Sequence, residues 1–513
     1  MLQIKNLNIY HKKDLHTLTK ELSFVLNDGD KAAIIGEEGN GKSTLLKLIF
    51  DAELVEDYVE YSGEILKNRA VCGYLAQELP EADRRKTVYE YLSEEPGFSE
   101  ADYRELTDWT RQLGLPPEMC YSEKPVGLLS GGEKVKVQLL RILAGHPGAL
   151  LLDEPSNDID LDTLVWLEKF INESKVPVLY ISHDETLLEN TANMILHMEQ
   201  IKRKTESRCT VMRTDYRAYV DKRQDAIAKQ ERLAVEEHAA YRKQQERFRR
   251  IHDSVEYQQD IISRQNPSGG RLLKKKMHAV KAMERRFEKQ AENMTQMPEI
   301  EEAIFFKFSE ADRIPPGKWV IDYNLPVLEV EGRELARDVR LQVRGPEKVC
   351  IVGKNGVGKT TLLRKIAGEL LPRTDIRAAY MPQNYEELLN LEQTPVEFLS
   401  STFDKAENTE IRTYLGSMKY TADEMSHPVG QLSGGQKAKL LLLKLSREQR
   451  NVLILDEPTR NFSPLSGPVI RELLSSFRGA IISISHDRKY IREVCETVYE
   501  LDGGGLHKVS EPL

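Results

Sequence analysis

Five short segments occur in one order and then occur again in the same order. The first series reads GEEGNGKST at Gly36–Thr44, LAQ ending at Gln77, LSGGE at Leu129–Glu133, LLLDEPSND at Leu150–Asp158 and ISHD at Ile181–Asp184. The second reads GKNGVGKTT at Gly353–Thr361, MPQ ending at Gln383, LSGGQ at Leu432–Gln436, LILDEPTRN at Leu453–Asn461 and ISHD at Ile484–Asp487. Ser130 precedes Asp153 by 23 residues, and Ser433 precedes Asp456 by the same 23. Asp153 to His183 and Asp456 to His486 are each 30 residues. A single glycine-rich loop matches by accident often enough. A whole series kept in register twice predicts two copies of one fold in one polypeptide.

The remaining bulk features narrow the class. A length of 513 residues suits roughly three domains. No run approaches the ~18 apolar residues that cross a bilayer, and the N-terminus MLQIKNLNIYHKKDLHTL alternates apolar and polar residues without the apolar block of a secretory leader. The expectation is a cytoplasmic protein with no membrane segment. Cys72, Cys120, Cys209, Cys350 and Cys495 are scattered without a CxxC pair, which argues against disulfides, zinc or an iron–sulfur cluster.

The order of the motifs resembles that of the ABC ATPase superfamily in both halves. The resemblance implies an α/β core around a largely parallel sheet, with a helical subdomain carrying LSGG. The residues agree: KAAIIG (31–36) and KVCIVG (348–353) are buried-strand runs entering a glycine loop, and TLLKLIF (44–50) and TLLRKIA (361–367) begin helices. The glycines 36, 39 and 41 let the backbone wrap phosphates, and the helix that follows offers its positive end. Lys42 would neutralise phosphate charge and Ser43 would ligate Mg²⁺. Gly353, Gly356, Gly358, Lys359 and Thr360 repeat the arrangement, and Asn40, Thr44, Asn355 and Thr361 complete the nucleotide-contacting set. Asp153 and Asp456 end apolar strands, where a carboxylate can hold the metal. Glu154 and Glu457 are the candidates for polarising the attacking water. In the family reading His183 and His486 sense the γ-phosphate, while Gln77 and Gln383 report on Mg²⁺ and that water. The cofactors implied are ATP and Mg²⁺.

The LSGG segments also suit phosphate, because a helix start preceded by Ser-Gly-Gly presents free N–H groups. The superfamily uses them across an interface: Ser433, Gly434 and Gly435 would face the nucleotide on Lys42, and Ser130, Gly131 and Gly132 the nucleotide on Lys359. A monomer with intramolecular pairing of its two ATPase domains is expected. Tyr10 is placed to stack on adenine, with a core tyrosine as the alternative. The equivalent stretch of the second half, VLEVEGREL (327–335), has no aromatic residue.

The segment between the cassettes differs in character. From Val178 to Asn266 there is neither Gly nor Pro. Thr214 or Asp215 can cap a helix of about 45 residues, with Tyr219, Ala226, Leu233 and Ala240 at heptad spacing and Tyr241, Phe248 and Val255 one residue out of step. NPSGG (Asn266–Gly270) reads as a breaker. A second helix from about Arg271 to Met294 carries Leu273, Met277, Val280, Met283 (or Glu284), Phe287, Ala291 and Met294 as its apolar stripe. The net charge of the chain is −9, yet residues 213–292 hold 20 Lys and Arg against 13 Asp and Glu. Arg247, Arg249, Arg250, Arg264, Arg271, Lys274, Lys275 and Lys276 gather toward the outer end. With Tyr257 and Phe248 they suit phosphate contact and base stacking in RNA, the alternative being a solvated coiled-coil face.

The predicted architecture is therefore α/β, two tandem ABC-type P-loop nucleotide-binding domains (1–204 and 301–513) joined by a long antiparallel α-helical hairpin (205–300) with its tip near 253–271. This plan resembles the ABC-F family of ribosome-associated ATPases. The resemblance implies binding in the exit site of the bacterial ribosome, with the hairpin reaching rRNA and peptidyl-tRNA. The run PTRNFSPLSGP (Pro458–Pro468) puts Ser463 where the first copy has Asp160, and looks like the Vga/Lsa-type branch that protects ribosomes from lincosamides, pleuromutilins and group A streptogramins. Such a D-loop implies two sites that differ in hydrolysis. The alternatives are a housekeeping translation factor and the ATPase subunit of a membrane transporter, which the basic hairpin disfavours. Chromosome and repair ATPases would need a far longer insert between the glycine loop and LSGG.

Overall fold

The computed structural model describes residues 1–13, 15–67, 71–201, 204–261, 267–292, 294–298, 308, 313–330, 332–402 and 404–509. They fall into two compact units: Met1–Tyr216 with Glu301–Leu513, and Arg217–Ile300.

The larger unit is built twice over. One six-stranded sheet runs Cys72–Leu75, Ala149–Asp153, Val178–Ile181, Lys31–Ile35, Met194–Ile201, Glu206–Met212. The other runs Ala378–Met381, Val452–Asp456, Ala480–Ile484, Lys348–Val352, Thr497–Asp502, Gly505–Lys508. In each the first five strands are parallel and only the last is antiparallel. Strands covered on both faces read as continuous apolar runs, and LLLD, VLYI, LILD and IISI do so. A separate antiparallel sheet belongs to each half: Thr17–Leu26, Leu2–His11 and Val59–Leu66 in the first, Trp319–Val330 and Arg333–Arg344 in the second.

The helix after each glycine loop lies in the core between its two sheets. Leu45, Leu46, Leu48 and Ile49 of Lys42–Phe50 pack in one cluster with Ile34 of the parallel sheet and Ile4 of the antiparallel one. Leu362, Leu363 and Ile366 of Lys359–Leu370 do the same with Ile351 and Val339. Burial of four such side chains contributes about 1.5–3 kcal/mol each relative to exposure. This packing fixes the loop that precedes the helix. At Gly36 (φ +145°) a Cβ would come 2.2 Å from the carbonyl oxygen of Met198, and at Gly353 (φ +142°) 2.4 Å from that of Leu501. Only glycine lets these two backbones approach so closely.

The smaller unit consists of the helices Tyr216–Ile261 and Pro267–Glu292. The first has 46 residues, about 69 Å at 1.5 Å each. They are antiparallel: the amide of Gln230 reaches the carbonyl of Gln296 at 3.0 Å, and Phe287 meets Tyr241 and Phe248 edge-on at 6.1 and 5.5 Å. Two expectations are corrected here. The first helix has no change of phase, because Ile227, Ala234, Tyr241, Phe248 and Val255 form a single heptad line facing inward. Leu233 is 44% exposed and Ala226 and Ala240 are exposed, whereas Ala234 is fully buried. On the second helix Val280 is buried while Met283 is 45% exposed, so the inward line is Val280 and Phe287, with Met294, just past the helix end, half-buried. The breaker is also partly helical. Pro267 opens the second helix, a position where its missing N–H costs nothing, and Ser268–Gly270 form its first turn. The centre of the expected tip, 262–266 with Arg264, lies outside the described residues.

Candidate functional site

The motif residues meet because the loops that carry them all leave the carboxyl ends of neighbouring parallel strands. Gly36 follows Lys31–Ile35, Gln77 follows Cys72–Leu75, Glu154 follows Ala149–Asp153 and His183 follows Val178–Ile181. In the first cassette Ser43 Oγ donates to Asp153 Oδ1 at 2.9 Å and Tyr74 OH to Asp153 Oδ2 at 3.1 Å. Burial, with Glu154 adjacent, pushes the Asp153 carboxyl up. Lys42 Nζ donates to the carbonyls of Gly36 and Glu37, each at 2.9 Å, and Asn40 anchors the loop to the carbonyl of Met198 at 2.9 Å. Glu154 sits at φ +49°, a left-handed conformation uncommon for glutamate. Its carboxylate accepts from Gln77 Nε2 at 3.1 Å and from Asn157 Nδ2, and lies 3.3 Å from His183 Nε2. Burial works against its charge, but His183, Lys42 and Asn157 together hold it at about 2.

The second cassette repeats the frame with different electrostatics. Thr360 bonds the Asp456 carboxyl, whose Oδ2 is buried without a hydrogen-bond partner. Lys359 Nζ donates to the carbonyls of Gly353 and Lys354 at 2.7 and 3.0 Å. Glu457 has φ +51° and accepts from the backbone N–H of His486 at 3.3 Å, with Nε2 of His486 at 3.7 Å. Burial first, then Asp456, pushes Glu457 up to about 8; burial and Lys359 push His486 down to about 4. Arg460 stands where Asn157 stands in the first copy and pairs with Asp158 at 2.9 Å. Gln383 lines the cleft beside Glu457.

Each phosphate loop faces the LSGG helix of the other cassette. The backbone N–H of Gly435, in the helix Gly434–Arg447, donates to the Glu38 carboxylate. On the other side Asn355 Nδ2 donates to the carbonyl of Asp158 at 2.5 Å, close against Gly131. Ser130 and Ser433 each cap their helix in a reciprocal box with Glu133 and Gln436. A cleft of about 1430 Å³ is lined by Ser130 and Gly131 on one side and by Gly356, Lys359, Thr360, Thr361 and His486 on the other. His183 Nδ1 lies 2.7 Å from the carbonyl of Phe462 in the other cassette; Nδ1 of His486 is buried without a hydrogen-bond partner, although Asp160 of the first cassette acts on its ring. Around these sites Arg471 pairs with Glu185, Lys489 with Glu185 and Glu189, and Arg488 with Glu168.

The residues fit Mg·ATP on their chemistry. An anion cradle with a lysine, a hydroxyl beside a buried carboxylate, and an orphaned Asp456 oxygen are the donor set of a phosphate and its cation. Gly39, Gly132 and Thr44 lie in the same elements as their neighbours named above. Tyr10 is half-buried and pairs with Thr17, next to Leu18, which packs over Gly41. In the second half Val330, Arg333 and Leu335 line the cleft at the corresponding place.

Sequence reasoning missed Glu37. Its carboxylate is buried against the other cassette, accepting from Ser463 Oγ at 2.9 Å, Ser466 Oγ at 2.6 Å and Lys439 Nζ at 3.1 Å. Lys439 and the two hydroxyls hold it at about 2 in spite of burial. The signal was present: two consecutive acids in a loop built to wrap anions are out of place. Ser463 therefore serves the first site's loop. An aspartate there would set a second carboxylate against Glu37.

The protein-family model described as ABC transporter matches residues 19–157 and 336–460, together just over half of the chain. The chain is 27% identical to ABC transporter F family member 2 of Arabidopsis thaliana, covering 96% of this chain and 75% of the relative. It is 29% identical to the ATP-binding protein Uup of Escherichia coli (strain K12), covering 94% and 77%. Among solved structures, "RNase-L Inhibitor" superposes with a TM-score of 0.59 at 17% identity over 98% of this chain and 89% of that one, and the "Model of ribosome-bound archaeal Pelota and ABCE1" with 0.57 at 17% over 98% and 78%. No described helix is long and apolar enough to cross a membrane. Two family matches in one polypeptide, with F-type relatives along its whole length, settle the assignment: the chain belongs to the ABC transporter family, as a tandem ATP-binding ATPase of the ABC-F group.

Proposed function

We propose that this ATPase engages the bacterial ribosome in the cytoplasm, with the helical hairpin as its RNA-contacting element. The observation that carries the reading is the surface of the smaller unit. Arg247, Arg249, Arg250, Arg271, Lys274, Lys275 and Lys276 are all exposed, and Tyr257 is 68% exposed, an arrangement that suits phosphate contact and base stacking. Phe248 is committed to the seam with Phe287 and does not serve as a stacking platform. The F-type relatives support the reading. Glu154, and Glu457 in its ionised form, would take the proton of the attacking water, Lys42 and Lys359 would neutralise phosphate charge, and Ser43, Asp153 and Gln77, with Thr360, Asp456 and Gln383, would hold Mg²⁺. When bound, Mg·ATP supplies the phosphoanhydride to be cleaved and the cation that offsets its charge. Tyr10 would hold adenine in the first site, and the Arg333 and Leu335 side chains would take its place in the second. The LSGG residues Ser433–Gly435 and Ser130–Gly132 complete the sites from across the interface.

The finer reading, ribosome protection of the Vga/Lsa type, rests on Ser463 in the second D-loop. A housekeeping role on stalled ribosomes fits the same features. The test is an ATP-dependent ribosome pulldown with Glu154→Gln/Glu457→Gln protein. Stable trapping of ribosomes is expected, and a trapped fraction without ribosomal RNA overturns the proposal. Drug sensitivity of a host with and without the gene separates protection from housekeeping.

A further inference from the structure

The two phosphate loops carry different charge at two adjacent positions. Glu37 and Glu38 in the first correspond to Lys354 and Asn355 in the second. Of the three residues that face Glu37 the lysine is kept and the other two differ between the copies. Glu37 meets Lys439, Ser463 and Ser466, whose counterparts in the first cassette are Lys136, Asp160 and Thr163. Asp160 there accepts from Thr163 N–H and Oγ1 at 3.0 and 2.6 Å within its own cassette, and from the backbone N–H of Asn355 across the interface. Among the described residues no ion pair to Lys354 occurs. The first interface thus has a buried carboxylate with three donors from the opposite cassette, plus Glu38 on the N–H of Gly435; the second has the side-chain and backbone amides of Asn355 on Asp158 and Asp160 and the Arg460–Asp158 pair, on acids of which neither is buried.

We propose that Glu37 is a positioning residue acting across the interface, a latch that ties the first phosphate loop to the opposing LSGG helix and D-loop without help from nucleotide, so that the first site stays assembled while the second opens. Removing one partner of a buried, hydrogen-bonded ion pair strands the other in a medium that solvates charge poorly, so the loss falls on one interface only. The nucleotide-facing consequence rests on the ATPase reading; the latch itself does not.

The test is amide hydrogen exchange on the full chain without nucleotide, followed at 433–446 and at the counterpart 130–144. Wild-type protein is expected to exchange at least tenfold more slowly at the start of 433–446 than at the start of 130–144. Glu37→Ala and Lys439→Met are each expected to remove that difference and leave 130–144 unchanged. The double variant should go no further than either single one, and the swap Glu37→Lys/Lys439→Glu should recover part of the protection, which a merely structural loss would not. Glu37→Gln provides the reading if the alanine variant fails to fold. In Lys359→Ala protein, where only the first site retains its lysine, Glu37→Gln should speed release of a fluorescent ATP analogue about tenfold. Unchanged exchange at 433–446, equal loosening of both segments, or no recovery in the swap overturns the latch. A protein that binds no ATP but keeps the exchange contrast overturns the ATPase reading and leaves the latch standing.

Discussion

The first composite site and the second share the parallel sheet, the glycine loop and the LSGG helix and differ in how charge is held. In the first, Glu154 is surrounded by Gln77, Asn157 and His183 and keeps its charge. In the second, Glu457 is buried beside Asp456 with one backbone donor, and the neutral acid is favoured. Across the interface the first loop is gripped at a buried carboxylate by Lys439, Ser463 and Ser466, and the second through Asn355 by Asp158 and Asp160, of which neither is buried. Duplication supplies two copies of one scaffold. Polar substitutions at the contact loops then make one copy a holder and the other a mover, without altering the sheets.

The largest effect expected is on turnover. Glu154→Gln/Glu457→Gln protein should lose ATP hydrolysis by at least about 100-fold in a phosphate-release assay, and the two single variants should lose unequal amounts; equal losses would break the comparison. Next comes Ser463→Asp, which sets a carboxylate against Glu37. It is expected to lower the melting temperature by roughly 2–4 °C for each kcal/mol lost, and the added Glu37→Gln change should restore it. The reverse replacement, Asp160→Ser, should cost only a few tenths of a kcal/mol to about 1 kcal/mol, because serine can still cap the helix Leu161–Glu173.

A pH dependence follows from Glu37. Its folded value, about 2, lies below the ordinary 4.5. Its contribution is therefore complete above 4.5, declines as pH falls from 4.5 toward 2, and is gone below. The groups facing it are Lys439, Ser463 and Ser466. Acid unfolding followed by circular dichroism should show a flatter limb in that window for Glu37→Gln than for wild type. The smallest effect belongs to Arg460→Asn, which gives the second site the first site's residue. The lost pair with Asp158, itself 63% exposed, should cost under about 1 kcal/mol, and a larger loss would mean that Arg460 holds the second interface.

The parts legible in the sequence were those with a fixed chemical grammar. Strand, glycine loop and buried helix followed from KAAIIG and TLLKLIF, and the motif carboxylates and histidines meet because each ends a parallel strand. The hairpin's existence was legible, its facing was not. Alanine is small and ambiguous, so Tyr219, Ala226 and Leu233 competed with Ile227 and Ala234, and only packing against Val280 and Phe287 decides. Glu37 was legible as an acid out of place, but its partners were not: they lie about 400 residues downstream, beyond any periodic pattern. Read alone, the D-loop serine looked like a loss; beside Glu37 it is an adaptation.

Glu154 and Glu457 both sit in the left-handed region, which costs a bulky residue of order 1 kcal/mol or more. Glu457 adds the expense of a buried carboxyl. Glycine or asparagine at 457 would relieve both burdens and end hydrolysis there. Selection for heat resistance and selection for turnover should therefore pull this position apart, with the hardiest variants among the dead ones.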